Sequence, residues 1–125
     1  TSGKGSSIVE TALSHLGTRY VYGGASAGGF DCSGFTSYVY KNTVCSIERV
    51  AQAQFDTTTR VSRDELLPGD LVFFGSSAYS ISHVGIYVGD DEFIHAPHTG
   101  DVVKYESLSG SYASRFQGGG RVIFD

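Results

Sequence analysis

Three side chains, far apart in the chain, could together do nucleophilic chemistry: Cys32, His83 and His95. A thiol is a modest nucleophile until an imidazole takes its proton, and that imidazole needs a third group to fix which ring nitrogen carries hydrogen. In such an arrangement Cys32 attacks. His83 holds the proton and returns it to the leaving amine, while His95 bonds the far nitrogen of His83. The oxyanion would meet the Cys32 backbone amide, with the Tyr20 hydroxyl as a side-chain donor. A histidine in third place stabilises imidazolium less than an aspartate would. Two other readings stay open on the same residues. One is a buried cysteine with histidines satisfied inside a core. The other is a metal set of Cys32, His83, His95 and His98, which lacks the close-spaced ligand pairs of familiar zinc sites.

The elements that must position these groups are legible. Phe35 and Val39 follow Cys32 at helical spacing, and Asp31 is a good N-cap, so Cys32 opens a helix running to about Lys41. A helix N-terminus favours thiolate over thiol, whereas the Asp31 charge opposes it, so a cationic partner is required. That points to a thiolate–imidazolium pair. The stretch from His83 to Ala96 reads as a hairpin turning at Gly89-Asp90-Asp91. A three-residue loop pairs Val88 with Glu92, Ile86 with Ile94 and Val84 with Ala96. It leaves His83, Gly85, Tyr87, Phe93 and His95 on the other face. His98 lies past Pro97 in a loop. A Cys32–Cys45 disulfide would require the chain to double straight back, so Cys45 is expected as a semi-buried free thiol.

Elsewhere, Ser7-Ile8-Val9-Glu10 is a capping box opening a helix with an apolar stripe of Ile8, Ala12, Leu13 and Leu16, closed by Gly17. His15 falls off the stripe and reads as a solvated surface residue. Arg19 to Gly24 is extended and enters a glycine loop without the Gly-Lys-Ser/Thr ending of a phosphate cradle. A short surface helix is expected around Ala51-Gln52-Ala53-Gln54, and a single capped turn at Ser62-Arg63-Asp64-Glu65. Pro68-Gly69-Asp70 is a turn, with Asp70 stabilising it rather than acting in catalysis. Leu71 to Phe74 is a buried strand stopped at Gly75, and Ser76 to Ser82 a polar loop. Asp101 to Tyr105 and Arg121 to Phe124 are further strands, with 106–120 as loop. Helices first and an antiparallel meander afterwards make an α+β domain.

Composition narrows the partners. The chain has 125 residues, 40% hydrophobic, with 16 Tyr and Phe, 17 Gly and a net charge of −4. One core is expected, with 1–5 as a linker or cloning remnant and 6–125 as a single catalytic domain belonging to a longer protein. With no basic cluster, nucleic acid is excluded as a partner. No apolar run approaches a membrane span, and no stretch reads as a signal peptide.

Tyr20-Val21-Tyr22-Gly23-Gly24, Phe30-Asp31-Cys32-Ser33-Gly34-Phe35, Leu67-Pro68-Gly69-Asp70-Leu71-Val72-Phe73-Phe74, His83-Val84-Gly85-Ile86-Tyr87-Val88-Gly89 and Phe93-Ile94-His95-Ala96 stand in this order. Together they resemble the NlpC family of bacterial cell-wall cysteine endopeptidases. The resemblance implies a papain-like fold, with N-terminal helices and the nucleophile helix packed on a five- or six-stranded antiparallel sheet. It implies a monomeric, secreted or wall-associated peptidase that needs no cofactor or metal. The implied reaction is hydrolysis of peptidoglycan stem peptides, at the bond between γ-D-glutamate and the diamino acid. By position it makes Cys32 the nucleophile, His83 the base, His95 the third residue and Tyr20 the hydroxyl beside the sulfur. Asp31 and Ser33 would line the pocket for the stem's free amino end. Arg19 replaces the proline common before the tyrosine, which would either loosen the approach to Tyr20 or add a positive charge near the groove for a substrate carboxylate. A catalytically silent wall-binding module and an amide acyltransferase are the alternatives on the same scaffold.

Overall fold

The computed structural model describes residues 3–26 and 28–122. Helix α1 (Gly3–Ser14) leads into a small ribbon, β1 (Ala25–Ser26) and β2 (Gly29–Phe30), and then α2 (Cys32–Lys41) and α3 (Ala51–Thr57). There follow β3 (Thr59–Val61), β4 (Leu71–Ser77), β5 (Ser80–Gly89), β6 (Glu92–His95), β7 (Lys104–Ser107) and β8 (Phe116–Arg121). Short 3-10 turns lie at Arg63–Glu65 and Ala113–Arg115. Strands β3 to β8 form one antiparallel sheet of order β3-β8-β4-β5-β6-β7. This is the expected α+β, papain-like arrangement, with six strands. Among the described residues no helix is long and apolar enough to cross a membrane.

The nucleophile helix forms where the spacing placed it. Asp31 is its N-cap, with Oδ1 accepting from the Gly34 amide at 2.6 Å. Phe35, Thr36, Val39 and Tyr40 are buried, so one face is apolar apart from the Thr36 and Tyr40 hydroxyls. Gly34 is a contact requirement: a Cβ there would stand 1.9 Å from the Gly24 carbonyl oxygen. That carbonyl already accepts the Asp31 amide at 2.9 Å, so the glycine loop is fastened across the first turn of α2.

Helix α1 starts at Gly3, inside the stretch expected to be linker, so Ser7 and Glu10 are mid-helix rather than a capping box. Burial of Gly5 outweighs its weak helix propensity. The stripe is also narrower than expected. Ile8 and Ala12 are fully buried, whereas Leu13 and Leu16 are more than a third exposed. His15 is half-buried rather than fully solvated; its ring stands edge-on to Phe30 and Tyr38 at 5.3 and 5.2 Å. Nor is α3 a surface helix, since Ala51, Gln54 and Phe55 are buried at i, i+3, i+4 spacing. The capped turn at Ser62 exists, but Ser62 bonds the Glu65 carboxylate at 2.9 Å instead of a backbone amide.

The two sheet faces bury different clusters. Leu71, Phe73, Val84, Ile86 and Ile94 pack with Phe35, Val39 and Phe55, while Val72, Phe74, Phe93 and Leu108 form the second cluster. The hairpin keeps the expected Ile86–Ile94 pair, but by a different route. Gly89 pairs with Glu92, so the loop is the two residues Asp90 and Asp91, both with positive φ (55° and 64°). A bulge between Tyr87 and Gly89 takes up the odd residue and preserves the faces.

Two stretches expected to be loop form strands instead. β4 continues to Ser77 and β5 begins at Ser80, with register shifts after Phe74, so 76–82 is a second hairpin rather than a polar loop. β8 occupies 116–121, almost all of it inside the expected loop of 106–120; of the expected terminal strand at 121–124, Arg121 ends β8, Val122 is in no strand, and 123–124 lie outside the described residues. Its glycines admit close neighbours. A Cβ at Gly119 would stand 2.5 Å from Leu66, and one at Gly120 would stand 2.3 Å from Thr58. β7 begins at Lys104, with Val102 held by an isolated bridge to Arg19. Asp70 is a structural residue: Arg121 donates to both its oxygens at 3.0 and 2.7 Å, and the Leu67 amide adds a third bond. Asp91 joins the hairpin tip to Arg63 (2.7 Å) and to the Ser109 hydroxyl, while its carbonyl accepts the Leu108 amide.

Candidate active site

Cys32 and Cys45 are both free thiols; Cys45 is exposed, not semi-buried, although Val44 and Ile47 on either side pack against the core. Cys32 sits in the first turn of α2, largely buried. The backbone amides of Val84, Ser33 and Cys32 itself act on its sulfur in the direction that favours thiolate. Burial and then the Asp31 charge act the other way and prevail, so the thiol is raised above its ordinary value. Val84 directly follows His83, so the sulfur rests on β5 where the candidate base begins.

His83 and His95 come together as the hairpin register requires. His83 Nε2 lies 2.7 Å from His95 Nδ1, with the rings nearly perpendicular. Nδ1 is therefore the His83 nitrogen left available. His83 is 7% exposed and His95 fully buried. Their surroundings are aromatic: Tyr112 stacks on His83 at 5.6 Å, Phe74 lies beside it, and Phe93 stands edge-on to His95 at 4.7 Å. Burial, aided by the Arg115 and His98 charges, lowers His83 to about 4. Burial, His83 and Lys104 bring His95 to about 3. Burial thus favours the neutral form of the thiol and of both rings, against the thiolate–imidazolium pair expected from the sequence.

Tyr20 packs partly buried beside the sulfur, and burial, then the neighbouring Cys32 and Asp31 charges, raise its hydroxyl. Asp31 performs several tasks at once. Besides capping Gly34 it accepts the Gly23 amide at 3.1 Å and is gripped by Arg49 through both oxygens, at 3.2 and 3.1 Å. Arg49 also donates to the Ser33 hydroxyl at 3.0 Å. Arg19 is exposed, its backbone bridged to Val102. An open groove of ≈470 Å³ between the β1–β2 ribbon and α2 reaches Arg49. His98 lies apart and exposed, 3.5 Å from Asp101.

Four contributors escaped the sequence reading. Arg49 was unremarkable beside Glu48. Gln54 is fully buried and donates to the carbonyls of Ser33 (3.2 Å) and Glu48 (2.8 Å) while accepting from Thr36 (2.8 Å), which locks the start of α2 to α3. Its i+3 spacing from Ala51, next to Phe55, was the available signal. Tyr112 lies in a stretch without periodicity. Glu106 Oε1 stands 3.4 Å from His95 Nε2, a buried nitrogen that makes no hydrogen bond among the described residues. Among those residues no group of three His, Cys, Asp or Glu side chains is arranged to hold a metal ion.

The family model for the NlpC/P60 family matches residues 17–121. The chain is 46% identical over 116 residues to a probable endopeptidase p60 of Listeria seeligeri, covering 92% of this chain and 22% of that protein. It is 38% identical over 109 residues to a γ-D-glutamyl-L-lysine dipeptidyl-peptidase of Bacillus subtilis, covering 86% of this chain and 37% of the relative. It thus spans well under half the length of either. The crystal structure of the NlpC/p60 domain of the peptidoglycan hydrolase SagA superposes with a TM-score of 0.87 at 36% identity, covering 94% of this chain and 98% of that one. A cysteine-peptidase type, as expected from the sequence, fits these relatives, and the chain belongs to the NlpC/P60 family.

Proposed function

We propose that the chain from α1 onward forms one catalytic domain, a cysteine endopeptidase that hydrolyses peptidoglycan stem peptides between γ-D-glutamate and the diamino acid. The observation that carries this reading is the buried His83–His95 pair, 2.7 Å apart, with the Val84 amide next to His83 acting on the sulfur of the helix-start cysteine.

Cys32 Sγ attacks the scissile carbonyl as its proton passes to His83 Nδ1, forming the C–S bond. The developing oxyanion is met by the Cys32 amide and the Tyr20 hydroxyl. His83 then protonates the departing amine of the diamino acid, the C–N bond breaks, and a thioester remains. Water, deprotonated by His83, cleaves the thioester and restores the thiol. Because burial favours the neutral form of both partners, the proton moves during attack rather than before it. Asp31 and Ser33 hold the stem's free ammonium, sharing the carboxylate with Arg49, and Arg19 serves a substrate carboxylate. The bond assignment draws support from the named activity of the Bacillus subtilis relative. We place the protein as a monomer outside the membrane, in or near the cell wall, as one module of a longer chain.

Stem peptides of defined composition, digested and read by mass spectrometry, test this. The wild-type chain releases fragments ending in γ-D-glutamate, and Cys32→Ala, folded by circular dichroism, releases none. Cleavage by the alanine variant would refute the thiol mechanism; cleavage at another bond would refute the specificity.

A further inference from the structure

We propose that Glu106 is a positioning residue: its carboxylate keeps hydrogen on His95 Nε2 and so sets the tautomer of both imidazoles. The inference rests on the catalytic reading of Cys32, His83 and His95 above.

Two neutral imidazoles in contact share a single hydrogen, and it can sit on either side. In one arrangement His83 Nε2–H donates to His95 Nδ1. His95 then carries its own hydrogen on Nε2, and His83 Nδ1 is a lone pair able to take the thiol proton. In the other, His95 Nδ1–H donates to His83 Nε2. His83 Nδ1 then carries hydrogen and cannot act as a base. Nothing within the pair itself prefers the first.

Glu106 supplies the preference. Register pairs His95 with Lys104 and Phe93 with Glu106, which places Glu106 on the sheet face of both histidines. Its Oε1 lies 3.4 Å from His95 Nε2, which is buried and otherwise without a hydrogen-bond partner among the described residues. A carboxylate there welcomes an N–H and repels a lone pair, so the first arrangement is selected. A slight approach turns the contact into a charge-assisted hydrogen bond as positive charge grows on the pair. The other charged and titratable groups around His95 do not take this role. Lys104 would oppose it but is held by Asp101 at 2.8 Å. His98 lies on that same aspartate, Tyr112 presents its ring edge-on, and Arg115 lies over the Tyr112 ring.

The test combines long-range nitrogen–proton correlation spectra of histidine-labelled protein with stem-peptide kinetics on wild type, Glu106→Gln and Glu106→Ala. In wild type His95 carries hydrogen on Nε2, and Glu106→Ala loses that single tautomer. For Glu106→Ala kcat falls about tenfold with KM unchanged, the scale seen when a histidine loses the partner that orients it. Glu106→Gln retains more activity, because its amide oxygen still accepts from Nε2–H. In both variants the acid limb of the kcat profile moves to lower pH, since the negative charge favouring imidazolium is gone. Hydrogen on His95 Nδ1 in wild type overturns the proposal, as does a loss equal at every pH with an unmoved limb. If wild type cuts no stem peptide, the proposed function fails on its own, and the tautomer spectra still decide the case of Glu106.

Discussion

The two sides of the candidate site are held by opposite means. The cysteine side is a polar, partly open web, in which Asp31 serves two amides and an arginine and Gln54 ties three groups across two helices. The histidine side is nearly dry, its rings surrounded by Phe74, Phe93 and Tyr112. Directional hydrogen bonds fix where the sulfur sits, whereas exclusion of water fixes how basic the imidazoles are. Backbone placement and proton affinity are therefore adjustable separately, and substitutions on one side should move different observables from those on the other.

The strongest challenge to the cysteine side is Gly34→Ala. Its Cβ would meet the Gly24 carbonyl at 1.9 Å, so backbone must move. We expect a loss of about 3 kcal/mol in urea unfolding; a loss below about 1 kcal/mol would show that the loop is not fastened there. Next is the acid stability conferred by the histidine side. Both rings take protons less readily folded than unfolded, so the unfolded chain binds more protons between the ordinary histidine value of about 6.5 and the folded His83 value of about 4. Stability is thus full above that window and falls by a few kcal/mol as pH drops through it. Unfolding free energy that stays level from pH 7 to 4 would remove the dry-pocket account. Tyr112→Ala sharpens the same point with a smaller effect. Opening the stack to water should raise His83 toward its ordinary value, as read by proton NMR titration, while Cys32 alkylation barely changes. Smallest is Asp31→Asn, which keeps a capping oxygen and removes a charge that raises the thiol. Cys32 should react with iodoacetamide a few-fold faster at neutral pH, with His83 unmoved. A shift of His83 in that variant would mean that the two sides are not independent.

Legibility from sequence followed the same division. α2, its Asp31 cap and the pairing of His83 with His95 could be read because side-chain periodicity and a short turn determine them. The turn itself was misread, since two consecutive left-handed aspartates and a bulge give the same face assignment as a three-residue loop. β8 was invisible because three of its six residues are glycine and carry no pattern. Gln54 and His15 were read as surface groups by their polarity, yet their partners come from distant segments that local spacing does not reveal. The weight of desolvation on the thiol and the imidazoles is not legible for a related reason. Desolvation depends on Tyr112 and Phe74, which no motif connects to His83.

The Asp91 clasp has a consequence for the opposite end of the hairpin. β7 is a four-residue border strand with a partner on one side only, the kind of ribbon that can slide. A slide of one position would swing Glu106 to the far side of the sheet. By pinning Leu108 and Ser109 to the hairpin tip, Asp91 acts as the stop that keeps a carboxylate 15 positions away in sequence opposite the buried ring it faces.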